Sequence, residues 1–242
     1  MSNKENKWQE IWSGKQVVTQ DDRKNEFDRF CELKKANGFD VAVEDGESYY
    51  RYFYNEWLEF FDKITELAGG DIKSVFEIGC GSGVNLYMFL NRKNECQVGG
   101  VDYSASMIES AKIATGSDNF YCCGADDITV EPKYDIVMSE SVFQYFDSLE
   151  YAESVLRKMI EKSRKLTYLG EIHNAEFEKE LMDKRRKTIE NYEEKYKGLS
   201  KRFYEKGWIE KIAGEYGKKV YFTDVNNADY INGKYIFNCY IV

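Results

Sequence analysis

The segment Val75-Phe-Glu-Ile-Gly-Cys-Gly-Ser-Gly83 constrains this chain more than any other. A short apolar run that ends in alternating glycines reads as a buried strand turning straight into a helix. Only residues without a Cβ let the backbone come so close to a ligand. Such a turn aims main-chain N–H groups and a helix N-terminus at one point, which suits a carboxylate or another anionic group. Two related loops fail on spacing. A dinucleotide fingerprint needs glycine or alanine where Val84 stands, and a phosphate loop needs Lys-Ser or Lys-Thr where Val84 and Asn85 follow Gly83.

One helix later, Gly99-Gly-Val-Asp-Tyr-Ser-Ala-Ser-Met107 supplies a second strand that ends on Asp102. In a right-handed β-α-β unit both strand ends open on the same crevice. A carboxylate there accepts both hydroxyls of a ribose, so a nucleoside-bearing ligand is expected; a nicotinamide cofactor would use a similar acid. The rest of the chain extends this frame. Apolar runs at Val75 to Cys80, Gln97 to Asp102, Asn119 to Gly124, Tyr134 to Ser139 and Leu166 to Ile172 read as buried strands. Amphipathic stretches at Gly83 to Leu90, Ser104 to Ala114 and Leu149 to Lys162 lie between them. That alternation predicts an α/β fold with a parallel sheet covered on both faces. Lys219 to Val225 and Tyr235 to Val242 are joined through Asn226, Asn227 and Gly233 with no helix, which predicts an antiparallel pair at one sheet edge.

Composition narrows the function. A length of 242 residues suits one domain with an appended lid. Hydrophobic content of 43% excludes a disordered chain, and no apolar run reaches the ~18–20 residues of a membrane span, so no membrane partner is expected. A net charge of −9 argues against nucleic acid and leaves a small-molecule acceptor. The polar start Met1-Ser-Asn-Lys-Glu-Asn-Lys7 lacks a secretory core, and six cysteines without a CxxC pair read as free thiols in a reducing cytoplasm. The single histidine, His173, removes the common routes to a zinc site or a Ser/His/Asp triad, so no metal is expected. The abundance of Lys, Asn, Tyr and Phe with one proline points to a bacterial gene from an AT-rich genome.

Four stretches in order carry a family resemblance: Glu77-Ile-Gly-Cys-Gly-Ser-Gly83, Asp102-Tyr-Ser-Ala-Ser-Met-Ile-Glu-Ser-Ala-Lys112, Gly124-Ala-Asp-Asp-Ile128 and Tyr134-Asp-Ile-Val-Met-Ser-Glu-Ser-Val-Phe-Gln-Tyr-Phe146. Over about residues 50 to 242 the chain resembles the class I S-adenosylmethionine-dependent methyltransferases, particularly the bacterial small-molecule branch. The resemblance implies a Rossmann-like fold: a seven-stranded, mainly parallel sheet with an antiparallel C-terminal edge strand. It implies a methyltransferase domain over residues 73 to 242, with a charged helical insertion at about 175 to 214. Residues 1 to 72 would form an N-terminal helical cap, with helices near Lys24 to Ala36 and Tyr50 to Leu67. Monomer and homodimer both stay open.

The cofactor implied is S-adenosyl-L-methionine. Gly79, Gly81 and Gly83 would frame its methionine part, Asp102 its ribose, and Tyr103 with Met107 its adenine. Asp126 is the candidate for the adenine amino group, with Asp127 or a backbone group as alternatives. Glu77 either touches cofactor or anchors a neighbouring N–H. Ser139 joins the cofactor-binding set, and Arg51 is expected to hold the cofactor carboxylate. The aromatic stripe Tyr50, Phe53, Tyr54, Trp57 and Phe61 is either a packed helix face or a ligand wall. His173, Glu140 and Tyr145 are the candidate catalytic residues, near strand ends where acceptors lie in open α/β folds. Ser139-Glu-Ser-Val142 stands where methyltransferases of nucleobase exocyclic amines and glutamine amides carry an Asn-Pro-Pro motif. The expected reaction is O-methylation of a metabolite or a capsule-type polysaccharide precursor, a sugar or a phosphate-bearing group. A non-catalytic binder of the same cofactor and a nicotinamide oxidoreductase are the rivals.

Overall fold

Local capping sets the helix boundaries in the computed structural model, which describes residues 7–20, 24–38, 46–93, 95–199, 201–225, 230 and 232–242. Asn25 accepts the Asp28 N–H to start α2 (Glu26–Ala36), Ser104 accepts the Met107 N–H to start α5 (Ala105–Thr115), and Ser148 accepts the Tyr151 N–H to start α6 (Leu149–Lys162). The other helices are α1 (Lys7–Ser13), α3 (Gly46–Leu67), α4 (Val84–Arg92), α7 (Glu178–Thr188), α8 (Tyr192–Lys195) and α9 (Lys206–Glu215). The expected charged helical insertion is broken between α7 and α8, where Asn191 adopts a left-handed φ of 55°.

Seven strands form one sheet: β1 (Ser74–Ile78), β2 (Gln97–Asp102), β3 (Phe120–Cys122), β4 (Tyr134–Glu140), β5 (Ser163–His173), β6 (Val220–Asp224) and β7 (Ile236–Ile241), in the order β3-β2-β1-β4-β5-β7-β6. The first five strands pair in parallel, and β7 runs antiparallel to both β5 and β6. The reversed strand is therefore not the edge itself. Helix α9 returns the chain one strand beyond β5, and β7 folds back into that gap. The turn through Asn226 and Asn227 lies outside the described residues, as do Met1 to Asn6; Gly233 opens a 3-10 turn before β7.

Each face of the sheet carries its own core. Phe30, Leu33, Trp57, Leu86 and Phe89 pack with Ile136 and Tyr168 on one side, so α2 and α3 share a core with the sheet. Val137, Leu156, Ile172, Ile209 and Phe237 pack on the other. The aromatic stripe of α3 divides: Tyr50, Phe53 and Trp57 are buried, with Trp57 stacked on Phe61 at 5.6 Å. All six cysteines are unpaired thiols. No helix among the described residues is long and apolar enough to cross a membrane.

Candidate active site

The glycine loop owes its shape to positive φ angles of 69° at Gly79, 51° at Gly81 and 78° at Gly83. Side chains are excluded for steric reasons too. A Cβ on Gly79 would lie 2.4 Å from Val142 Cγ2, and one on Gly81 would lie 2.5 Å from Asn37 Oδ1. Gly79 and Cys80 both donate to the Val101 carbonyl, which locks the loop onto β2. From above, the end of α2 closes it: Asn37 Oδ1 accepts the Ser82 N–H at 2.7 Å, and Ser82 Oγ donates to the Leu33 carbonyl at 2.9 Å.

Asp102 closes β2 against this loop. Its Oδ2 accepts the Gly81 N–H at 3.0 Å and its Oδ1 accepts the Ser104 N–H at 2.9 Å. Burial pushes its carboxyl up, and these backbone donors oppose the shift. Each oxygen keeps a lone pair, so the group can still accept two vicinal hydroxyls. Gly79, Gly81, Asp102, Tyr103, Gly124 and Ala125 line one cavity of ≈ 250 Å³. Trp8, Trp12 and Tyr145 form its outer wall, with Trp8 and Tyr145 ring centroids 4.7 Å apart. A wall that combines bare glycine backbone, a buried carboxylate and aromatic faces has the chemistry to take a nucleoside.

A buried polar chain leads from this cavity to a second. Asn85 Nδ2 donates to Glu77 Oε1 at 2.7 Å and to Glu140 Oε2 at 2.9 Å, while its Oδ1 accepts from Trp57 Nε1 at 3.1 Å. Lys34 Nζ pairs with Glu140 Oε1 at 3.4 Å. Glu77 is 1% exposed, burial drives its carboxyl well up, and its Oε2 lacks a hydrogen-bond partner among the described residues. Glu140 lines both cavities, the second holding ≈ 480 Å³ between α3, β5 and β7. Glu171 reaches that cavity through a bulge in the β5–β7 pairing between Leu169 and Ile172. Its φ of +54° is left-handed, a conformation that costs a non-glycine residue about 1–3 kcal/mol. Ser141 Oγ donates to Glu171 Oε2, and Asn238 Oδ1 accepts the Glu171 N–H at 2.9 Å. Burial, and then Glu140, push the Glu171 carboxyl up to about 7.

The structure places several expected site residues elsewhere. Gly83 shapes the loop without lining the cavity, because a Cβ there would meet Ala111 at 2.9 Å. Met107 is fully buried in the core, so only Tyr103 of the expected adenine pair faces the cavity. Ser139 is buried and donates to the Ile78 carbonyl at 3.1 Å. Asp126 pairs with Lys158 at 3.0 Å and Asp127 accepts the Gly124 N–H at 3.1 Å, which leaves the backbone of Gly124 and Ala125 on the cavity wall. Arg51 lines neither cavity; it is half exposed, paired with Glu47 at 3.0 Å and laid over Phe27. His173 lines neither; it is 3% exposed, tilted against Phe203, and burial with Lys201 and Arg185 nearby pulls its pKa to about 2. Glu140 and Tyr145 do line the cofactor cavity. Sequence reading missed Trp8, Trp12, Asn37 and Lys34. The four-residue spacing of the two tryptophans was the available signal; nothing local marks Asn37.

A family model described as a methyltransferase domain matches residues 76–164. The malonyl-[acyl-carrier protein] O-methyltransferase of Priestia megaterium is 29% identical over 97 residues, 39% of this chain and 35% of that protein. The nonribosomal peptide synthetase asqK of Emericella nidulans is 29% identical over 142 residues, 55% of this chain and 6% of that protein. The chain thus matches well under half the length of these relatives. Among solved structures, the magnesium protoporphyrin IX methyltransferase of Synechocystis with bound SAM superimposes with a TM-score of 0.56 at 16% identity, covering 92% of this chain and 99% of that one. Sheet order, glycine loop and the matched domain together give this chain the fold of the class I S-adenosylmethionine-dependent methyltransferases, with a methyltransferase domain over residues 76–164.

Proposed function

We propose that the protein transfers a methyl group from S-adenosylmethionine to a small-molecule acceptor. The observation that carries this reading is the cavity at the ends of β1 and β2, bounded by Gly79, Gly81 and Asp102. In it Asp102 would hold the ribose diol, Tyr103 one adenine face, and the Gly124–Ala125 backbone the adenine edge. Trp8, Trp12 and Tyr145 exclude water from the open side. When bound, the cofactor supplies a methyl activated by its positive sulfur, so the protein's main task is alignment of an acceptor atom with it. Glu140 faces the donor cavity and the neighbouring one, and is the residue best placed to act on both.

The finer expectation, O-methylation of a polysaccharide or phosphate-bearing precursor, would take Glu140 or Glu171 as its base, since His173 is walled off from both cavities. A phosphate would have to enter beside Glu56, Glu140 and Glu171, with Lys34 already paired to Glu140. Calorimetric titration with S-adenosylmethionine, S-adenosylhomocysteine and NAD tests the reading. The first two are expected to bind at micromolar affinity and NAD not at all. Preference for NAD would sink the proposal in favour of the oxidoreductase, and binding with no turnover on any small acceptor would favour the non-catalytic binder.

A further inference from the structure

Transfer between two molecules needs the acceptor beside the donor, and Glu140 lines both cavities. We propose that the second cavity takes a small-molecule amine, its nitrogen held among Glu56, Glu140 and Glu171 and against the rings of Tyr52, Phe53 and Trp57. The proposal rests on the methyltransferase reading above and adds the acceptor's chemical class.

Charge carries the argument first. Five carboxylates, Glu56, Glu59, Glu140, Glu171 and Asp224, line the cavity against Lys34 and Lys63. The inner lysine is committed to Glu140. An anionic acceptor would enter against this field and a neutral hydroxyl would gain little from it, whereas an ammonium gains charge-assisted hydrogen bonds. The walls agree with the charge, because aromatic faces beside carboxylates attract a cation from a second direction. The fold also goes out of its way to put an acid there. Tyr168 packs toward α3, while Leu169 and Ile172 belong to the opposite core. Regular alternation would send residue 171 with Leu169; the bulge, at the cost of a left-handed backbone, returns Glu171 to the cavity side.

The chemistry closes on the same residue. An amine that arrives as ammonium must shed a proton before its lone pair can attack. Glu171, its carboxyl raised to about 7, takes that proton and passes it to solvent. The new N–C bond then forms as the methyl's bond to sulfur breaks, with that electron pair remaining on sulfur, which becomes a neutral thioether.

The test uses the full chain saturated with S-adenosylhomocysteine and titrated with three probes on one frame: 2-phenylethylamine, 2-phenylethanol and phenylacetate. The amine is expected to bind about tenfold or more tighter than the alcohol, and the acid not measurably. Glu171→Gln should bring amine and alcohol within about threefold of each other while S-adenosylhomocysteine affinity holds. If that variant fails to fold, Glu56→Gln is expected to weaken the amine in the same direction. Equal or tighter binding of the alcohol or the acid, no binding by any probe, or an amine preference untouched by both variants overturns the proposal. Failure of S-adenosylhomocysteine to bind is a different result: it removes the methyltransferase reading itself, and the acceptor assignment with it.

Discussion

The two cavities that meet at Glu140 are built by opposite means. On the cofactor side part of the wall is bare backbone: the glycine loop and Gly124, next to one carboxylate whose oxygens are tied to backbone N–H groups. Those pieces sit at the ends of β1, β2 and β3, which are neighbours in the sheet and close in sequence. On the acceptor side the wall is side chain, drawn from α2, α3, β4, β5, β6 and β7, from Lys34 to Tyr240. A site made of main chain is specified by local turn chemistry and tolerates little change. A site made of distant side chains is specified by packing and can change its occupant through a few substitutions.

The largest effect is therefore expected at Asp102. Asp102→Ala removes the diol acceptor and at the same time leaves the Gly81 and Ser104 N–H groups without their partner. With about 1.5–3 kcal/mol for each hydrogen bond to a charged group, S-adenosylhomocysteine affinity should fall about a hundredfold or more. Calorimetry on variant protein with unchanged circular dichroism measures it. A loss of only a few-fold would mean that the cofactor side, too, is held mainly by its side-chain walls.

The cofactor side also takes two tryptophans from α1, Trp12 and, nearer Tyr145, Trp8. Its ring packs on Tyr145, and the Tyr103 hydroxyl donates to its carbonyl at 3.3 Å. Lys201 Nζ lies 5.4 Å from the Tyr145 centroid, backing the same rim. Trp8→Ala removes an aromatic contact of about 0.5–1.5 kcal/mol, so cofactor affinity should drop about fivefold. Quenching of tryptophan fluorescence on titration follows the same event in the parent protein. No change in affinity would separate α1 from cofactor binding.

This division also explains what the sequence disclosed. The strand–glycine–helix turn, Asp102 at the next strand end and the alternation of elements are local patterns, so the sheet and the crevice at the ends of β1 and β2 were legible. Met107 was misassigned because a helix face has two sides and periodicity does not say which one meets the ligand; tertiary packing put it in the core. Arg51 and His173 were misplaced for a related reason, since nothing local reports which way α3 turns or that Phe203 covers the end of β5. Strand alternation alone sends Glu171 to the other face, and its place beside Glu140 on the second cavity depends on the bulge. Lys34, Asn37 and Trp8 enter through contacts that span tens of residues or more, which a single sequence does not encode in any short pattern.

Glu171 also permits a test by stability. Its carboxyl is raised to about 7 from an ordinary 4.5 by burial and by Glu140 and Glu56, against Lys34 and the Tyr230 hydroxyl. A raised carboxyl pKa means the folded state favours the protonated form. Its contribution is fully present below about pH 4.5 and is lost as pH rises through 7. Glu171→Gln, which cannot ionise, should therefore match the parent near pH 4 and exceed it near pH 8, by on the order of 1 kcal/mol or more. Urea unfolding at the two pH values measures this. A difference independent of pH would mean that Glu171 keeps its charge, relieved by Lys34, and that the acceptor side is less strained than its geometry implies.

The smallest effect is expected at Arg51, and its smallness is what makes it useful. The side chain is 54% exposed, and its guanidinium pairs with Glu47 one turn earlier and lies 4.2 Å from the Phe27 ring centroid. An exposed i,i+4 pair contributes about 0.3–0.5 kcal/mol, within the range that solvent and salt erase. Arg51→Ala should therefore leave S-adenosylhomocysteine affinity within about twofold and stability within about 0.5 kcal/mol. A tenfold loss of affinity would require α3 to turn its N-terminal half toward the glycine loop when cofactor enters. The helix that walls the acceptor cavity through Tyr52, Phe53 and Trp57 would then also grip the donor, and the two sides of the crevice would be one moving unit rather than a fixed backbone socket beside an adaptable chamber.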